Sequence, residues 1–352
     1  MKHNAIVYCQ GAFNTTNGKT AHGLVRFTER YNVVAVVDEK YHGQDAGMVL
    51  DGKNFDIPIV SNMTEAIAVG KAQNLSVDHL VIGLAPDGGK LPTSAISEIK
   101  IAIQNGMNVD SGLHDFLSDN SEIAKLSAEH NVTIRDIRKP PTRDKLHFFC
   151  GKIEEVKSLK IAVLGTDSAV GKRTTAWLIV HGLRAQGISA ELVGTGQTAW
   201  MQGAKHSVIF DSLVNDFVSG EIEHAVWSAW NDTKPQVIVI EGQGSLMNPA
   251  YPSGLEILAA GRPDVVILQH APSRKEYDGF PGYPIQPLHH QINAIEVVSG
   301  KPVVAITLNH ENLSSEEIPR VCAAMENVVG LPVIDVLANG TDKLIEVLRS
   351  HL

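Results

Sequence analysis

The sequence predicts an α/β protein made of two parallel-sheet domains. Three observations carry this. The chain has 352 residues, more than one typical domain holds and suited to two. Short apolar runs alternate with helical patterns, stop at a Pro-Pro pair, and then restart. In the second half, GTDSAVGKRTTA (165–176) joins an apolar run to a helical one.

In the first half, AIVYC (5–9), VVAVV (33–37), DIPIV (56–60), HLVIGL (79–84), MNVD (107–110) and NVTIRDI (131–137) predict strands. Helices are expected near 20–30, 63–73, 93–104 and 120–129. Strand-helix alternation implies a mostly parallel sheet with helices on both faces. The expected product is a Rossmann-like domain over residues 1–140. RKPPTRDKLHFFCGK (138–152) then interrupts regular structure, because proline fixes φ and lacks an N–H. A linker is expected over 141–155.

Alternation resumes with strands at 159–165, 189–194, 236–242, 264–270, 302–309 and 331–336. Helices are expected at 172–186, 213–230, 286–298, 315–327 and 341–351. The second domain, 156–352, is therefore another parallel α/β unit. Open sheets of this kind bind ligands at the carboxyl ends of their strands. GTDSAVGK sits at such an end and opens a helix. Its backbone N–H groups and the helix N-terminus can cradle a phosphate, and Lys172 adds a full positive charge. This makes the domain P-loop NTPase-like. The candidate cofactor-binding residues are Gly165, Thr166, Asp167, Ser168, Ala169, Val170, Gly171, Lys172, Arg173 and Thr174, with Asn309 at a later strand end.

The loop departs from the usual Mg-nucleotide pattern twice. Five residues separate its glycines instead of four, a form that resembles the loop of dethiobiotin synthetase and its relatives. The residue after the lysine is Arg173, where a Ser or Thr would give its hydroxyl to Mg²⁺. A guanidinium repels a cation and can pair with phosphate instead. Thr174 comes one position late, and each helical step turns a side chain by about 100°. The loop is expected to hold phosphate with little dependence on metal.

Other strand ends supply chemistry. QVIVIEGQGSL places Glu241, Gln243 and Ser245 past a buried strand, and glycines on both sides of Gln243 permit close ligand approach. DVVILQHAPSRK does the same with His270 and Arg274. Asn309 can bond an adenine edge or cap the next helix. GTGQTAW adds Gln197 and Thr198. In the first domain, QGAFNTTNGKTAHG lacks the GxGxxG dinucleotide fingerprint, but Lys19 can line a polar pocket. Further strand ends there carry Pro86, Asp87, Gly88 and Gly89, and Ser111, Gly112 and His114.

Composition narrows the class. The chain is 43% hydrophobic and 20% charged, with a formal net charge of −9. Nothing in it resembles the basic face of a nucleic-acid binder. No apolar run nears the roughly 18 to 20 residues that span a bilayer, and no signal peptide is evident, so no membrane partner is expected. Three scattered cysteines argue against a disulfide framework or thiolate zinc site and favour a reducing cytoplasm. His289 and His290 point to different faces of a helix, and no metal site is expected in the chain. Exposed sheet edges suit a homo-oligomer.

A Rossmann-like half followed by a P-loop half with GTDSAVGKRTTA, GTGQTAW, DSLVNDF and IEGQGSL resembles a bacterial family long described only as a domain of unknown function. Some of its members are D-glutamate N-acetyltransferases. The resemblance covers nearly the whole chain. It implies an acyltransferase that moves the acetyl group of acetyl-CoA to the amine of D-glutamate, in D-amino-acid catabolism. Such transfer needs a base for the ammonium proton and donors for the oxyanion. Glu241 and His270 are the candidate bases, and backbone near Gly242 or Gly244 the candidate donors. Lys19, Gln197, Thr198, Gln243, Ser245 and Arg274 are the candidate substrate contacts. Two other readings use the same residues. One is a Mg-ATP-dependent ligase or kinase of the dethiobiotin synthetase type, with Glu241 and Asp167 on Mg²⁺. The other is a non-catalytic nucleotide-binding module.

Overall fold

Both halves of the chain build sheets whose central strands are apolar on both faces. Residues 5–7 and 237–240 are all fully buried, as parallel strands covered by helices must be. The computed structural model describes residues 2–352, the side chain of Asp87 excepted; that side chain, singled out above, lies outside the described residues. The chain divides into two compact units, Met1–Pro141 with Gln197–Gly203, and Thr142–Gly196 with Ala204–Leu352.

The N-terminal unit runs β1 (His3–Tyr8), α1 (Lys19–Arg26), β2 (Tyr31–Val37), α2 (Ala46–Asp51), β3 (Ile59–Val60), α3 (Met63–Ala72), β4 (His79–Ile82), α4 (Ala95–Gln104), β5 (Asn108–Ser111), α5 (Ser121–Glu129) and β6 (Ile134–Asp136). Its six parallel strands lie in the order β3-β2-β1-β4-β5-β6, the doubly wound Rossmann order. Every strand predicted for this half is present. Helix α2 was not foreseen. It has only six residues, too few to show a period. Asp45 caps it by accepting from the Met48 N–H at 2.9 Å, and Gly52 ends it at φ 66°.

The following segment comprises β7 (Leu159–Gly165), α6 (Lys172–Ala185), β8 (Ala190–Gly194), α7 (Gln197–Gln202), β9 (His206–Ser207), α8 (Asn215–Thr233), β10 (Val237–Glu241), α9 (Leu255–Ala260), β11 (Val265–His270), α10 (Leu288–Ser299), β12 (Val303–Leu308), α11 (Glu317–Val329), β13 (Val333–Ile334), α12 (Val336–Asn339) and α13 (Asp342–Arg349). The seven strands are parallel, in the order β13-β12-β11-β7-β10-β8-β9. β7 has β10, β8 and β9 on one side and β11 to β13 on the other. Its carboxyl end is thus a topological switch point, where a sheet of this type opens a crevice for ligand. Among the described residues no helix is long and apolar enough to cross a membrane.

Two features depart from a simple bead-and-linker chain. Residues 142–155 are fastened to α8 within the C-terminal unit. Glu223 accepts from the N–H groups of Cys150 (2.7 Å) and Ile153 (3.2 Å), and Glu221 accepts from the N–H of His147 (2.7 Å). Gly220 permits this, since a Cβ there would lie 2.0 Å from the His147 carbonyl oxygen. The second feature is α7, which belongs to the N-terminal unit. Gln202 donates to the carbonyls of Gly23 (2.9 Å) and Phe27 (3.0 Å), and its own carbonyl accepts from the Glu29 N–H at 2.7 Å. The Arg30 guanidinium stacks on Trp200 at 3.8 Å, and Met201 is fully buried.

Candidate functional site

The segment between β7 and α6 is a phosphate-binding loop in its conformation as well as its sequence. Ala169 takes φ 51° and Gly171 φ 103°, and the loop ends at the N-terminus of α6. Those signs of φ turn successive N–H groups inward. Lys172 folds back over the loop. Its Nζ donates to the carbonyls of Asp167 and Gly244, each at 2.7 Å. Gly165 leaves room for this, because a Cβ there would sit 2.8 Å from Lys172 Cδ. An ammonium has three donors, so one proton remains for a ligand. Burial pulls the Lys172 pKa down from 10.5 to about 8, although Asp167 and Glu241 pull it the other way.

Asp167 is the hub that holds the loop in shape, and it is completely buried. One carboxylate oxygen accepts from Ser168 N–H (2.7 Å) and Asn248 Nδ2 (2.9 Å). The other accepts from Asp278 N–H (2.9 Å) and Arg274 Nη1 (3.2 Å). Arg274 lies across the loop and uses all five of its N–H groups there. They reach Asp167, the carbonyls of Ser168 (2.8 Å) and Ala169 (3.4 Å), and Glu311 twice (2.7 and 3.0 Å). Asn309 Nδ2 donates to the Val170 carbonyl at 2.9 Å, and its oxygen accepts from Glu311 N–H at 2.9 Å. Arg274 and Asn309 therefore brace the loop itself. Sequence reasoning missed Asn248; its position before Pro249 was the available turn signal.

Glu241 ends β10, 5% exposed. Its Oε2 accepts from the Thr195 N–H at 2.8 Å, and Thr195 Oγ1 donates to the Glu241 carbonyl at 3.0 Å. Burial raises the carboxyl above its usual range. Arg173 is the charge that most opposes this, followed by the Thr195 N–H and Lys172. The arginine at the anomalous position thus works on the carboxylate that would face a metal in a Mg-nucleotide enzyme. Thr175, two places beyond Arg173, turns to the sheet, where it and Thr307 both donate to Gln269 Oε1 at 2.6 Å. Thr174 is half-buried on the same first turn of α6.

His270 ends β11 with Nδ1 2.9 Å from Thr166 Oγ1. Burial, helped by Lys275, lowers its pKa to about 4, so the ring is neutral near pH 7. With the proton on Nδ1, Nε2 keeps the lone pair that a base requires. After β10, the Gly242 N–H is already bonded to the Val163 carbonyl at 3.0 Å. It cannot serve as the oxyanion donor considered above. Gln243 Nε2 lies 3.0 Å from where a Cβ on Gly196 would stand. Ser245 is 2% exposed and its hydroxyl has no partner among the described residues.

The C-terminal unit therefore gathers the loop, Glu241, Gln243, Ser245, His270, Arg274 and Asn309 at the carboxyl end of one sheet. The other three candidates belong to the N-terminal unit. Lys19 is exposed at the start of α1. Thr198 shares a buried hydrogen bond with Thr20 at 3.1 Å. Gln197 packs against Gly112, where a Cβ would fall 2.6 Å from its Cγ.

Gly244 offers a test of loop anchoring. It has φ 43°, and a Cβ would lie 2.1 Å from the Tyr251 carbonyl oxygen. Gly244→Ala is expected to cost about 2 kcal/mol or more and to displace the carbonyl that holds Lys172. Thermal unfolding should show a lowered midpoint, and phosphate-ligand affinity should fall with it.

Residues 147–345 match the model of a domain of unknown function, the DUF1611 C-terminal P-loop domain, and residues 39–140 match the DUF1611 N-terminal Rossmann-like domain. The chain belongs to the DUF1611 family. A DUF1611 protein from Anabaena variabilis, of known crystal structure, superposes with a TM-score of 0.90 at 28% identity, covering 99% of this chain and all of that one. Two curated relatives bear the name D-glutamate N-acetyltransferase. The one from Pseudoalteromonas is 31% identical, covering 81% of this DUF1611 chain and 86% of its own. The one from Tritonibacter scottomollicae is 29% identical, covering 80% and 84%.

Proposed function

We propose that this DUF1611 protein is an N-acetyltransferase that moves the acetyl group of acetyl-CoA to the amine of D-glutamate, as an entry to D-amino-acid breakdown. The observation that carries the proposal is a phosphate loop whose metal-binding parts are committed elsewhere. Arg173 stands where the Mg²⁺ hydroxyl would be and acts on Glu241. Asp167 has both oxygens saturated by four donors. Such a loop suits the CoA diphosphate, held by backbone N–H groups, Lys172 and Arg173. It disfavours a Mg-ATP ligase or kinase. The acceptor's identity and stereochemistry are taken from the names of the two relatives.

In the reaction the free amine attacks the thioester carbonyl. A C–N bond forms, the C–S bond breaks, and the thiolate leaves to take up a proton. A base must first take the ammonium proton. His270, neutral near pH 7, and Glu241, with its carboxyl raised by burial, are the candidates for that base.

Thermal unfolding tests the donor. Acetyl-CoA at about 100 times its dissociation constant adds roughly 2.7 kcal/mol, and a chelator should leave that shift unchanged. Thiol release with D-glutamate should greatly exceed that with L-glutamate. Stabilisation seen only with Mg-ATP would overturn the proposal in favour of the ligase or kinase class.

A further inference from the structure

A second cluster lies at the amino ends of the central strands of the N-terminal sheet. His3 opens β1 and His79 opens β4, its parallel neighbour, with Ala5 opposite His79. Asp78 precedes β4. His3 Nδ1 is 3.3 Å from Asp78 Oδ2, and His79 Nδ1 is 3.2 Å from Asp78 Oδ1. The donor atoms of all three residues lie within 4.8 Å of one another. Zinc bonds of about 2.0–2.2 Å in a tetrahedron set ligand atoms about 3.3–3.6 Å apart, close to the two histidine–carboxylate separations, one to each oxygen of Asp78.

The decisive feature is an unmet need. His79 is 4% exposed. Its Nδ1 and Asp78 Oδ1 are both buried, and neither has a hydrogen-bond partner among the described residues although they face each other at 3.2 Å. Buried polar atoms are ordinarily paired. A cation between them would satisfy both at once. On the far side of the ring, Nε2 faces Asp110 Oδ2 at 3.9 Å. Asp110 is itself held by Tyr31 Oη (2.5 Å) and Arg135 Nη1 (2.9 Å). A metal bound at Nδ1 would leave the ring proton on Nε2, on the side of that carboxylate.

We propose that His3, Asp78 and His79 form a binding site for a first-row divalent metal, zinc foremost. Two imidazoles and one carboxylate suit that class of ion. The side chains of His3 (51% exposed) and Asp78 (46% exposed) leave the remaining position to water. Ligands of such a sheet bind at the opposite, carboxyl end of the strands. The site is therefore structural, tying the first residue of β1 to the start of β4.

The test uses the full-length protein stripped of metal. Zn²⁺ is titrated by calorimetry, and Co²⁺ is followed by its visible absorption. One equivalent should bind, with bands of low-coordinate cobalt. His3→Ala alters an exposed side chain and Asp78→Asn is isosteric, so both should match the wild type in metal-free unfolding midpoint. Each should lose at least about tenfold in Zn²⁺ affinity. Absence of Zn²⁺ binding by the wild type would overturn the proposal. So would variants that bind as tightly as the wild type, since the ion would then sit at other histidines.

Discussion

Lys172→Met is expected, on the proposed function, to weaken acetyl-CoA binding by about 30- to 1000-fold, the equivalent of about 2–4 kcal/mol for a charge-assisted contact to phosphate in a partly desolvated site. The fold should suffer far less. Methionine strands the carbonyls of Asp167 and Gly244, which Nζ now holds. It also removes a buried charge whose desolvation is costly, as the pKa of about 8 records. The two effects oppose, and the net change should stay within about 2 kcal/mol. Ligand titration and thermal unfolding on the same variant separate them.

The same lysine gives the wild type two pH trends of opposite sign. Its folded pKa of about 8 lies below the ordinary 10.5, so the unfolded chain binds more protons between those values. From this group, stability rises as pH increases from 8 to 10.5. Phosphate binding needs the charged form, so affinity should fall about tenfold per unit of pH above 8 until the pKa of the bound state is reached. Affinity that is flat from pH 7 to 9.5 would remove Lys172 from the site.

Glu241→Gln is expected to lower kcat by about 100- to 10,000-fold if the carboxylate takes the ammonium proton. Glutamine can still accept from the Thr195 N–H through its carbonyl, so the β10–β8 contact survives. The pattern of the loss decides the role. In CoA the long pantetheine arm separates thioester from diphosphate. A loss in kcat therefore requires the arm to fold back across the loop. A change confined to KM for acetyl-CoA would put Glu241 at the phosphate end and leave His270 as the base.

The fold was legible because buried parallel strands leave continuous apolar runs such as QVIVIEG and VVILQH, and glycines and prolines punctuate them. What escaped was short. α2, α7, α9 and α12 have at most six residues, less than two helical turns, and show no period. The loop was legible because glycine, lysine and helix follow in order. Its bracing was not. Asn248, Asp278 and Thr195 act through tertiary proximity, which leaves no spacing in the chain. A strand end tells that Arg274 and Asn309 lie near the loop but not which way they face, and both turn inward to hold it.

The helix that the C-terminal stretch lends to the N-terminal unit limits how this gene can be cut or recombined. A fragment ending near residue 141 lacks Met201, which is fully buried in the N-terminal core, and the Gln202 amide that closes the end of α1. Such a fragment would expose an apolar slot where α7 belongs. The two halves are therefore not interchangeable modules, and a chimera joining the first half of one homologue to the second half of another must also match the borrowed helix. Lineages that diversify this protein should do so by point change across the whole chain and not by shuffling domains.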